Sequence, residues 1–102
     1  MKEYKINLTQ QFWEELDKIL YFFPYSNISK RKLYWEVKNI VQSLSIFPER
    51  YQKINYSKRT NEKDLRKIPI NKFVIIYNID EQKEEVYILH IFYEKQNYFN
   101  QL

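Results

Sequence analysis

His90 is the only histidine in the chain, and histidine is the side chain whose ordinary pKa lies nearest neutrality. It can therefore serve as a general base or a general acid. Arg66, Lys67, Lys72 and Lys95 are the cations that could hold a phosphate or an acidic target surface, and the ring of Tyr98 could stack on a nucleobase. Each of these residues also has a plainer reading. His90 shares strand parity with Val86, Ile88 and Phe92, which would place it on a helix-covered or rim face as a structural histidine. Arg66 and Lys95 read equally well as solvated charges.

Other chemistry is excluded by composition. The chain has no cysteine, so disulfide frameworks and thiolate metal sites are impossible. One histidine leaves only carboxylates as further ligands, and Asp80, Glu81, Glu84 and Glu85 fall in a turn where charges are expected anyway, so no metal and no cofactor is expected. Glycine is absent, which rules out the glycine-rich loops that cradle phosphates in P-loop and dinucleotide folds.

The elements that must position these residues follow from length and pattern. The 102 residues make a single domain, 1–102, with one core. Hydrophobic residues at 44% and charged residues at 29% are the balance of a globular protein. The first residues, Met-Lys-Glu-Tyr-Lys-Ile-Asn, lack the apolar stretch of a signal peptide, and no apolar run is long enough to span a bilayer, so a cytoplasmic, membrane-free location is expected. The net charge of +4 is unevenly spread: +2 over 1–48, +5 over 49–72 and −3 over 73–102. The basic middle segment suggests a nucleic-acid or acidic-protein partner, or a solvated lysine-rich surface.

Tyr4, Ile6 and Leu8 alternate with polar residues and predict a first strand. Thr9 is an N-cap for a helix over 10–22, whose stripe is Phe12, Leu16, Ile19, Leu20 and Phe23, with Glu14, Glu15, Asp17 and Lys18 off it. A second helix is predicted from Asn27 or Ser29 to about 46, with Leu33, Val37, Ile40, Val41 and Leu44 inward, and Pro48 after it. The short connection makes the pair an antiparallel hairpin. Tyr51, Ile54 and Tyr56 form a weak strand candidate, followed by a loop. Segments 65–70, 73–79 and 86–93 read as strands, the last two apolar enough to be covered on both faces. The fold class is α+β: an N-terminal strand, then a helical hairpin packed on one face of a 3–5-stranded antiparallel sheet, with Leu16, Leu44, Val74, Ile76 and Ile88 buried.

The order and spacing of these segments carry a resemblance. Leu65-Arg-Lys-Ile-Pro-Ile70, Phe73-Val-Ile-Ile-Tyr-Asn-Ile-Asp80, Val86-Tyr-Ile-Leu-His-Ile-Phe-Tyr93, Lys95-Gln-Asn-Tyr98 and the helix ending Leu44-Ser-Ile-Phe-Pro48 together resemble the RelE/ParE superfamily of toxins from type II toxin–antitoxin systems. The chain departs from the ParE-like pattern at three places. His90 stands where the ParE-like branch carries arginine, Glu94 stands where a glycine precedes a basic pair, and that pair is Lys95-Gln96. The strand position of an arginine in the ribosome-dependent RNase branch falls on Val74.

The resemblance implies a toxin neutralised by a cognate antitoxin in a hetero-oligomer. It offers three activities. A ParE-like toxin, associated with plasmid stabilisation and growth inhibition, binds and inhibits a target such as DNA gyrase and has no catalytic residues. A RelE-like endoribonuclease cleaves mRNA on the ribosome, and here would use His90, Lys95 and Tyr98. A decayed member binds only its antitoxin. RNA cleavage needs a base for the 2′-hydroxyl, cations for the phosphorane and an acid for the leaving oxygen. The loss at Val74 favours the ParE-like reading. The many tyrosines and phenylalanines, interleaved with basic residues, could form a stacking platform, or else core and an antitoxin interface, which is the favoured assignment.

Overall fold

A computed structural model of the chain describes residues 2–22, 27–54 and 64–94, the first two residues of the second segment by backbone alone. In chain order the elements are β1 (Lys5–Leu8), α1 (Gln10–Phe22), α2 (Asn27–Ser43), a 3₁₀ turn (Pro48–Arg50), β2 (Asp64–Ile70), β3 (Phe73–Asp80) and β4 (Glu85–Tyr93). No helix among them is long and apolar enough to cross a membrane.

Thr9 caps α1 as its position predicts. Its Oγ1 accepts the amide N–H of Phe12 at 3.2 Å and donates to the Ile88 carbonyl at 2.7 Å, tying the helix start to β4. Helix α2 stops at Ser43, short of the expected 46. Leu44, Ser45 and Ile46 each donate to the residue three back, a tightened final turn, and the Ser45 carbonyl is taken by the Tyr4 amide at 2.7 Å.

The sheet order is β1-β4-β3-β2. The three C-terminal strands are antiparallel, as expected, while β1 lies parallel to β4 at one edge and makes the sheet mixed. The direction of β1 is free of any hairpin constraint, because its neighbour is the last strand and the whole helical hairpin lies between them. Lys53 bridges Arg66, so the weak strand candidate near Ile54 contributes one bridge beside β2; Tyr56 and the loop after it lie outside the described residues.

The two helices pack on one face. Phe12, Leu16, Ile19, Leu33, Val37, Val41 and Leu44 meet Ile68, Ile70, Phe73, Ile75, Tyr77, Ile79, Val86, Ile88 and Ile91. Tyr77 is fully buried there, and its hydroxyl donates to the Pro48 carbonyl. Ile54, Leu65, Val74, Ile76 and Phe92, with Leu89 beside them, form a smaller cluster on the second face. Strand β3 is thus buried on both sides, which its continuous apolar run requires. The five residues expected to be buried are so, Val74 and Ile76 on the face away from the helices.

Candidate functional site

The second face of the sheet gathers the acid–base candidate. Strand β4 carries a bulge: Ile88 lies opposite Tyr77 and His90 opposite Ile76, leaving Leu89 unmatched. The extra residue shifts the alternation by one. Val86 and Ile88 face the helices, whereas His90 joins Phe92 on the second face, where their rings stack with centroids 4.8 Å apart. Simple parity, which grouped His90 with Val86 and Ile88, fails for this reason.

Glu15 holds the histidine. β1 ends opposite Ile88, so β4 continues beyond it without a strand on that edge, and α1 lies against it there. The Glu15 Oε1 accepts the Ile91 amide at 3.2 Å and lies 3.1 Å from His90 Nδ1. A carboxylate can only accept, so Nδ1 is the donor in this contact. Sequence reading placed Glu15 off the apolar stripe, yet its side chain is only 14% exposed. The available signal was its helical spacing from Phe12 (three residues) and Ile19 (four), which sets it on the flank of the buried face.

Among the described residues, the candidate cations do not converge on His90. Arg66 shares parity with Ile68 and Ile70 on the helix-covered face. Its guanidinium contacts Asp64 at 2.9 and 3.2 Å and donates to the carbonyls of Glu49 and Tyr51 at 2.8 and 2.9 Å, so it stitches the 3₁₀ turn to β2. Lys72 sits in the β2–β3 turn, beside Asn71 and near Glu36 in the middle of α2. Lys67 alone lies on the second face, in one row with Ile76 and His90. The neighbouring row is Pro69, Val74 and Phe92, with Val74 only 5% exposed. Lys95 and Tyr98 lie outside the described residues. Among the described residues, the second face therefore holds an oriented imidazole, one ammonium in its row and an apolar surround.

A second feature lies where α1, α2 and β1 meet. Ile6, Leu8, Trp13, Tyr34, Val37 and Lys38 line a groove of about 360 Å³. Leu8 and Trp13 are each 39% exposed in it. A concave apolar trough with a lysine on its rim is suited to the apolar side of an amphipathic protein segment.

The family model of the ParE toxin of type II toxin–antitoxin system, parDE, matches residues 6–98. No curated protein matches. Among solved structures, the chain is similar to a toxin–antitoxin complex RelBE2 from Mycobacterium tuberculosis, with TM-score 0.63 and 22% identity over 94% of this chain and 97% of that one. It is also similar to a mutant of the E. coli toxin RelE in the free state, with TM-score 0.62 and 13% identity over 97% and 92%. The archaeal RelE–RelB complex from Pyrococcus horikoshii gives 0.57 and 16% over 92% and 98%. These likenesses establish the fold, a helical hairpin on a four-stranded sheet. With a family match that spans nearly the whole sequence, the chain belongs to the RelE/ParE superfamily of toxins from type II toxin–antitoxin systems.

Proposed function

We propose that the protein is a ParE-like toxin of the cytoplasm that inhibits a cellular target such as DNA gyrase by binding it, and that a cognate antitoxin neutralises it. The observation that carries this reading is Val74. Its side chain is buried in the apolar cluster on the second face, at the position where the nuclease branch would need a cation. Stabilising a phosphorane takes preorganised donors, and losing one typically lowers the rate by roughly 10²-fold or more. Arg66 offers no substitute, since its donors are taken up on the opposite face. Lys67 supplies charge without arginine's two-pronged contact. Inhibition by binding has no such requirement.

The antitoxin seat in this proposal is the groove between α1, α2 and β1, where exposed Leu8 and Trp13 would be covered by the apolar face of an antitoxin segment and Lys38 would meet its acidic side. Two of the similar structures are themselves complexes with an antitoxin or RelB, which supports a hetero-oligomer here.

A RelE-like endoribonuclease is the second reading, and one observation favours it: Glu15 orients His90 as it would orient a general base. Expressing the chain and mapping mRNA ends, alongside supercoiling by purified gyrase, separates the two. The proposal expects intact ribosome-bound mRNA, impaired supercoiling and DNA damage. Codon-positioned cuts that vanish in His90→Ala or Lys95→Ala would establish the enzyme instead. Unaltered growth on induction in the native host would leave a member that only binds its antitoxin.

A further inference from the structure

The outward face of α2 combines cations with exposed rings. The helix carries Lys30, Arg31, Lys32 and Lys38 against a single acid, Glu36, for a net charge of +3. Glu36 is itself half-buried and accepts a hydrogen bond from the Asn71 amide at 2.9 Å. None of the four cations is in a salt bridge among the described residues. Between them stand two rings, Tyr34 at 36% and Trp35 at 53% exposure, packed edge to face at 5.9 Å. The Lys38 ammonium sits 4.8 Å from the centre of the Trp35 ring. Arg31, Tyr34, Trp35 and Lys38 follow helical spacing, so they form one strip down the cylinder, about 10 Å long.

We infer that this strip binds single-stranded nucleic acid. The inference does not rest on the proposed toxin activity, although Tyr34 and Lys38 of the strip also line the groove proposed as the antitoxin seat. Uncompensated cations attract phosphates, and release of the phosphate counterions drives the association. Exposed indole and phenol rings offer π-faces to unpaired bases, and such stacking tolerates any sequence. A duplex hides those base faces, which makes the single strand the fitting form. Trp35 and Arg31 lie outside the apolar groove, on convex helix surface. A protein segment gains its contact by filling a trough, whereas a flexible strand can lay bases over rings that project.

The test is fluorescence anisotropy of the full chain with labelled oligothymidylate and oligouridylate of about 16 nucleotides, a length within the known site sizes. Two phosphate contacts, from Arg31 and Lys38, predict that log K falls with log[salt] with a slope of about −1.4. Trp35→Ala should weaken binding by about 5- to 150-fold, and Arg31→Glu should flatten the salt slope. Lys83→Glu, the same charge change in the exposed β3–β4 turn, should alter affinity by less than about 2-fold if contacts at the strip, and not net charge, drive binding. Trp35 is exposed enough that its removal leaves the core intact, which circular dichroism verifies. The inference is overturned if neither oligonucleotide binds at low salt, if Trp35→Ala binds like wild type, or if Lys83→Glu weakens binding as much as the α2 variants. Loss of antitoxin binding in Trp35→Ala with unchanged oligonucleotide affinity also overturns it, and assigns the strip to a protein.

Discussion

Replacing Glu15 by alanine should reveal how α1 is fastened to the sheet. The side chain makes two contacts at the edge of β4: it accepts the Ile91 amide at 3.2 Å and lies 3.1 Å from His90 Nδ1. Beyond Ile88 no described strand pairs with that edge, so the Ile91 amide depends on Glu15 for its partner. Leaving a partly buried amide unsatisfied costs about 1–3 kcal/mol, and the contact to His90 adds roughly 1 kcal/mol. In a domain of this size the sum corresponds to a drop in Tm on the order of 10 °C. His90→Phe removes only the second contact and should cost less. The double variant isolates the pair, with a coupling energy of about 1 kcal/mol. Urea denaturation supplies the three energies, and hydrogen exchange of the Ile91 amide reports the first contact directly: protection should fall in Glu15→Ala and persist in His90→Phe. A Glu15→Ala variant no less stable than His90→Phe, with Ile91 still protected, would refute the assignment of Glu15 as the edge cap.

Leu44 is completely buried beneath α2, and Leu44→Ala should destabilise by about 2–5 kcal/mol in urea denaturation. Glu84 holds a left-handed backbone at φ 54°, so Glu84→Gly should stabilise by up to about 1 kcal/mol, seen as a rise in Tm. Arg66→Lys should cost about 1–3 kcal/mol, because lysine cannot span Asp64 and the carbonyls of Glu49 and Tyr51 together. The Tyr4 hydroxyl donates to Glu81 at 2.7 Å; that bond, and burial after it, push its pKa up to about 12 from 10.0. Its folded value is the higher one, so this stabilisation is intact below pH 10 and is lost as the pH rises through about 12; Tyr4→Phe should flatten the stability profile across that interval.

How much was legible in the sequence depends on the range of the interaction. Local signals sufficed for the elements. Thr9 ahead of an apolar stripe marked a helix start, Pro48 followed the end of α2, and the uninterrupted run 73–79 announced a strand covered on both faces. The order of those segments sufficed for the family. The absence of cysteine and glycine removed whole classes of chemistry by composition alone.

Other features were decided only when distant segments met. The bulge at Leu89 is a property of the β3–β4 pairing, so no reading of β4 alone could place His90 on the second face. Arg66 looked free because its acceptors, the Glu49 and Tyr51 carbonyls, are backbone groups brought to it by the turn after α2. Glu15 was read only as lying off the apolar stripe, because its partners lie 75 and 76 positions away. Net charge along the chain hides the basic α2 for a related reason. Averaged over 1–48 it is only +2, since the acids of α1 offset the bases of α2, and the segment 49–72 stands out in its place. A linear window sums charges that the helical hairpin presents on separate helices, and the electrostatic field of a surface depends on where each charge is placed.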